Sequence, residues 1–169
     1  MSKRTRWSVG VALLVCAAAL VVPAVVFAGP DGTATVRYGN PNAGTSFPPD
    51  EHDRSFNAYD KINPRNVVIS AGGSVSFEML GFPHQVAVYN PGVAPEDIDV
   101  PDFGPPNDPN FDNIFINDAT ERKFLGATPF GPPQPTESVT FATPGEYLMI
   151  CNVTPHFAFA KMYGWIDVK

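Results

Sequence analysis

Cysteine and histidine are scarce in this chain, with two cysteines and three histidines among 169 residues. One cysteine, Cys16, sits in an apolar run near the N-terminus, which leaves Cys151 alone in the rest of the chain. A secreted domain ordinarily uses its cysteines in pairs, so a disulfide framework is excluded. With only His52, His84 and His156 available, a centre built from many imidazoles is excluded as well. Positive charge is also in short supply: Lys and Arg number 11 against 17 Asp and Glu, a formal net charge of −6. That balance argues against nucleic acid or an anionic lipid surface as a partner and fits a cationic one. Beyond the first thirty residues no stretch keeps a helical period with caps. Neither an internal repeat nor a Ser-His-Asp or paired-carboxylate arrangement occurs.

What is present begins with an address. Lys3, Arg4 and Arg6 precede an uncharged apolar run from Val9 to Val26, interrupted by Pro23 and ending in Val26-Phe27-Ala28. This is the layout of a secretory signal peptide cut after Ala28, so a periplasmic or extracellular location is expected. The alternative is an uncleaved anchor, because Trp7 to Ala28 is long enough to span a bilayer. Residues 1–28 are accordingly set apart from a single domain over 29–169, long enough for a core of its own. Losing the three basic residues of the leader takes the formal charge from −6 to −9.

The domain reads as all-β. Short runs at Thr33–Tyr38, Asn66–Ser70, Ser74–Leu80, Gln85–Tyr89, Ser138–Ala142, Glu146–Cys151 and Tyr163–Val168 carry alternating or apolar patterns. Turn signals separate them, Ala71-Gly72-Gly73 and Thr143-Pro144-Gly145 among them, which indicates a sandwich or barrel. Residues 39–64 look like loop. Between Pro91 and Pro135, Pro, Gly, Asn and Asp dominate, yet Phe103, Phe111, Phe115, Phe124 and Phe130 punctuate them. Aromatics at that density predict a long loop packed onto the sandwich, with a short helix around Asn117–Phe124, rather than a linker.

The chemistry concentrates in four residues. His156 lies five positions after Cys151, Met162 six after His156, and His84 opens a strand upstream in Phe-Pro-His-Gln-Val-Ala-Val. A thiolate, two imidazoles and a thioether are the donor set of a trigonal copper site with a weak axial sulfur. Such a set suits Cu(I) and Cu(II) moderately well, so little has to move when one electron is gained or lost. Pro83 and Pro155 each precede a candidate histidine and stiffen its backbone. His52, in Asp-Glu-His-Asp, has no sulfur near it in sequence and is read as a solvated residue.

The segments AGGSVSFEML, FPHQVAVYN, TPGEYLMICNVTPH and MYGWIDV resemble the cupredoxin family of small blue copper proteins. The resemblance covers most of 65–90 and 137–169. It implies an eight-stranded Greek-key β-sandwich with one type 1 copper ion near one end, held by His84, Cys151, His156 and Met162, and an exposed edge of His156 as the route for electrons. Phe82, Phe157 and Phe159 flank the histidines as a candidate apolar docking patch, core packing being the alternative. The chain departs from the family in three places. Five residues separate His156 from Met162, where relatives have fewer; Gln85 stands where Asn is common; and Asn152 follows Cys151 where Ser or Thr is common.

The function expected is therefore one-electron transfer between redox proteins, a cytochrome or copper oxidase being the kind of partner implied, by a monomer without enzymatic activity. The alternative is a copper-binding module for delivery, storage or sensing. A copper enzyme of the reductase or oxidase type would need several more histidines than the one left over. Asp108 to Asn113 spaces carboxylates as calcium loops do, but lacks their glycine and closing glutamate. The sequon Asn152-Val-Thr154 falls inside the candidate ligand loop, where a glycan would obstruct the metal.

Overall fold

A computed structural model describes residues 25–29, 32–39, 61–80, 84–102, 114–125 and 137–169. Its strands follow from side-chain alternation. In β2 (Thr33–Tyr38) the residues Ala34, Val36 and Tyr38 point inward; in β4 (Asn66–Ile69) Val67 and Ile69 do so; in β5 (Ser74–Met79) Val75 and Phe77. The period of two buries one face and leaves the other to polar groups. On that polar face Ser74 pairs with Thr140 and Ser76 with Ser138 through their hydroxyls, 2.9 and 2.6 Å apart.

Two mixed sheets pack face to face. One has the order β3-β2-β5-β8, with β3 at Ile62–Asn63 and β8 at Glu137–Thr140. The other has the order β1-β4-β10-β9-β6-β7 and adds β1 (Val25–Phe27), β6 (Val86–Tyr89), β7 (Lys123–Leu125), β9 (Gly145–Cys151) and β10 (Tyr163–Val168). Ala71-Gly72-Gly73 carries the chain from one sheet to the other, with Gly72 at φ +85°, a conformation that glycine adopts without steric cost. The turn before β9 is held by the Tyr147 hydroxyl, which donates to the Thr143 carbonyl at 2.9 Å.

β6 and β9 do not alternate, because both of their faces are covered. Val86, Val88, Tyr147, Met149 and Cys151 join the core between the sheets. Ala87, Tyr89, Leu148 and Ile150 join a second cluster on the outer face, closed by Ile98, Ile116 and Phe157. A strand buried on both sides must be apolar throughout, which accounts for the runs Val-Ala-Val-Tyr and Tyr-Leu-Met-Ile-Cys. The long loop packs onto the sandwich as expected, through Val93, Ile98, Phe115 and Ile116. Arg122 ties two of its parts together, donating to the Asp97 carbonyl at 2.7 Å and pairing with the buried Asp118 carboxylate.

Residues 39–64, read as loop, contribute β3 at Ile62–Asn63, and two further elements differ from expectation. Instead of a helix over Asn117–Phe124, a single 3-10 turn at Thr120–Arg122 leads straight into β7. Pairing of β7 with β6, and the stacking of Phe124 on Phe141 at 4.8 Å with Tyr147 edge-on at 5.0 Å, outweigh the local helical pattern. The end of the apolar leader, Val25–Phe27, lies as an exposed edge strand parallel to β4, and Ala28 packs against the core while donating to the Val68 carbonyl at 2.9 Å. Residues 1–24 lie outside the described residues, as do Phe103, Phe111, Phe130 and the Asp108–Asn113 stretch. Among the described residues no helix is long and apolar enough to cross a membrane.

Gly164 in β10 faces the Arg65 carbonyl so closely that a Cβ there would overlap backbone atoms and meet the Met149 side chain at 2.8 Å. Gly164→Ala is expected to destabilise the protein by about 1–3 kcal/mol or more, the scale of overpacking against groups that cannot give way. Chemical denaturation of the two proteins side by side measures it.

Candidate metal centre

Cys151 is the last residue of β9, inward-facing and fully buried. Its cross-strand neighbour is Val86. His84, two residues before Val86, therefore enters the sandwich on the same face as Cys151. Asn152 bonds across the same pair: its backbone N–H donates to the Gln85 carbonyl at 2.6 Å and its side-chain amide to Gln85 Oε1 at 3.0 Å. The residues that depart from the cupredoxin pattern at these two positions thus bond to each other.

Beyond Asn152 the chain turns into a short helix, α1 (Thr154–Ala158), with Pro155 in its first turn, where a missing N–H costs nothing. The helix swings His156 back toward Cys151. Lys161, at φ +54°, reverses the backbone, and two main-chain bonds close the loop: Met162 N–H to the His156 carbonyl at 3.0 Å, and Cys151 N–H to the Met162 carbonyl at 2.9 Å. The loop also rests on the long insertion, with Ile116 N–H donating to the Asn152 carbonyl and Thr154 N–H to the Ile114 carbonyl.

Three donor atoms converge. Cys151 Sγ lies 3.7 Å from His84 Nδ1 and 3.6 Å from His156 Nδ1, and the two nitrogens are 3.2 Å apart. The point equidistant from all three is about 2.0 Å from each, close to the length of a metal–imidazole bond and slightly short of a metal–thiolate bond. Of the described residues, these three form the one group of His, Cys, Asp or Glu placed to hold a metal ion together. Met162 is fully buried in the same apolar cluster as Cys151, with its backbone bonded to both sides of the loop as above.

The electrostatics favour neutral imidazoles. Burial lowers the His84 pKa from 6.5 to about 4. Burial, with the neighbouring His84 adding to it, lowers that of His156 to about 3. Both rings keep a lone pair for a metal at neutral pH. Two borderline nitrogens and a soft thiolate, gathered with no carboxylate among the described residues of the group, suit a transition metal and are a poor match for calcium or magnesium.

Several expectations are corrected. The edge of His156 is not exposed: the residue retains 1% of its accessible surface. Phe157 packs into the outer cluster, its ring 6.0 Å from that of Tyr163, so packing rather than docking is its role. Of the two described phenylalanines Phe159 is exposed, while Phe82, Pro83 and His52 lie outside the described residues. The helix α1 was not foreseen, although Thr-Pro followed by four non-proline residues is a helix-start signal.

No protein-family model and no curated protein matches the chain. Solved structures do match it. The chain folds as a cupredoxin-type β-sandwich, as in the dithionite-reduced auracyanin of the photosynthetic bacterium Roseiflexus castenholzii, with 18% identity over 83% of this chain and 99% of that one at a TM-score of 0.51. Auracyanin A, a "blue" copper protein of Chloroflexus aurantiacus, matches at 16% identity over 81% of this chain and 98% of that one, TM-score 0.46. Reduced rusticyanin matches at 20% identity over 86% and 84%, TM-score 0.45.

The lowered histidine pKa values have a consequence for the metal-free protein. Between pH 6.5 and the folded values near 4 and 3, the unfolded chain binds more protons than the folded one. Stability is therefore greatest above pH 6.5 and is lost as pH falls through that window, with a slope of up to about 1.4 kcal/mol per pH unit for each histidine. Urea denaturation of the metal-free protein at stepped pH checks it, and His84→Gln is expected to flatten the profile.

Proposed function

We propose that His84, Cys151 and His156, with Met162 as the fourth and axial donor, hold one copper ion of type 1 character, and that the protein carries single electrons between redox partners outside the cytoplasm. The observation that supports it most is the triangle of Sγ and two Nδ1 atoms with sides of 3.2 to 3.7 Å, on a fold shared with a reduced auracyanin. When bound there, copper supplies a one-electron couple between Cu(I) and Cu(II).

The chain supplies rigidity and dryness. The ligand loop is closed on itself by Met162, braced by Gln85 through Asn152, and backed by the insertion at Ile114 and Ile116. Donors held this firmly keep one geometry in both oxidation states, which lowers the cost of electron transfer. Burial of Cys151, His84 and His156 shields the thiolate and slows exchange of the ion, which favours a resident redox centre over copper delivery. The acidic charge balance would speed encounter with a cationic redox protein, such as a basic cytochrome, through small and transient contacts. A monomer without enzymatic activity is consistent with this role.

Cu(II) added to the metal-free protein is expected to give an intense visible sulfur-to-copper band, absent from Cys151→Ser at equal loading. A wild-type protein that takes up copper without that band would overturn the assignment. Met162→Leu is expected to keep the band and raise the reduction potential, since a weak electron-donating sulfur that stabilises Cu(II) is removed. Spectroelectrochemistry of the two proteins decides the place of Met162.

A further inference from the structure

β1 (Val25–Phe27) belongs to the sheet. It pairs in register with β4, Val25 beside Asn66, Val26 beside Val67 and Phe27 beside Val68. Ala28 follows, packing against the core and donating to the Val68 carbonyl at 2.9 Å. A turn then leads to β2, with Gly32 N–H donating to the Gly29 carbonyl at 2.9 Å and Gly29 N–H to the Thr33 carbonyl at 3.2 Å. Cleavage after Ala28, as expected from the sequence, would strip this strand and leave the edge of β4 as an unpaired row of backbone groups.

A second observation is what β1 faces. Val25, Val26 and Phe27 are 45, 40 and 71% exposed. Successive residues of a strand point to opposite faces, so this edge is apolar and uncovered on both. An exposed apolar edge strand in water is an aggregation site; against lipid it is not. Directly ahead of it, the run from Trp7 to Ala24 carries no charged residue, and at about 18 residues it meets the length that the core of a bilayer requires. Lys3, Arg4 and Arg6 precede that run, the basic flank that stays on the cytoplasmic side.

The register also gives a direction. β1 runs parallel to β4 and β4 parallel to β10, with Val25, Asn66 and Trp165 abreast. β10 starts at Tyr163, immediately after Met162, and pairs there with Ile150, the neighbour of Cys151. The chain therefore enters β1 from the end of the sandwich that holds the candidate centre. Ala71, bonded to the Lys169 carbonyl, marks the opposite end.

We propose that the leader is retained and holds the domain at the outer face of a lipid bilayer, with β1 as the junction and the metal-centre end turned toward the membrane. The anchor stands without the copper assignment. The orientation rests on the metal centre described above, and adds to the proposed function a redox partner seated in the same membrane.

The full-length chain, expressed in a bacterium, tests the anchor by fractionation and intact mass. It is expected to stay in the membrane pellet after alkaline carbonate, to leave it in detergent, and to have a mass that includes the residues from Lys3 onward. A soluble chain beginning at Gly29, or a membrane-bound one beginning at a lipid-modified Cys16, overturns the proposal. Orientation is read by NMR of the full-length protein in phosphatidylcholine nanodiscs containing lipids with a nitroxide headgroup, kept reduced so that any bound copper is diamagnetic. The amide signals of Lys161, Tyr163 and Asn66 are expected to broaden more than those of Gly72 and Lys169. Equal broadening at both ends, or the reverse order, overturns the orientation. Neither result depends on whether copper is bound, so failure here is distinct from failure of the visible band that decides the metal.

Discussion

The register between β6 and β9 is the constraint on which the rest depends. Val86 opposite Cys151 places His84 and the cysteine on one face of one sheet, pointing into the space between the layers. A slip of one residue would turn Cys151 toward the outer cluster and bring Leu148 and Ile150 inward, because side chains alternate with a period of two. Apolar side chains on both faces of β9 do not by themselves forbid that slip. The bonds from Asn152 to Gln85 and from Cys151 to Met162 do so, because both would be lost.

The outer cluster covers the face of β6 and β9 that points away from the candidate centre. In a simple two-layer sandwich the outer face of β6 and β9 would meet water. Here the insertion lays Ile98 and Ile116 over it, and α1 adds Phe157 beside Tyr163. The ligand loop is consequently pinned from two sides, by strands beneath and by the insertion at Ile114 and Ile116. Burial removes water from the two imidazoles and keeps them neutral. His156 is itself buried, which sets this centre apart from one that meets its partner through an exposed ligand ring.

Much of this was legible in sequence for physical reasons. Strand positions followed from alternation and from glycine-bearing turns: β2 and β10 have the expected bounds, and β4, β5, β6, β8 and β9 differ from expectation by a residue or two at their ends. The donor residues were legible because a lone cysteine, two of three histidines and a methionine are chemically conspicuous in so metal-specific an order. The helix expected over Asn117–Phe124 failed where a tertiary contact decided the matter: stacking of Phe124 on Phe141 and Tyr147 draws the segment into a strand. Burial of Phe157 also lay beyond sequence, since it depends on where the insertion packs.

Composition and order alone determined the all-β class, the inward register of each strand and the identity of the four candidate donors, because these rest on local periodicity and on side-chain chemistry. Folding alone decided that three donor atoms from positions 84, 151 and 156 meet at the corners of one triangle. Contacts between residues more than sixty positions apart are settled by strand pairing and layer packing. Neither leaves a signature in any short stretch of sequence.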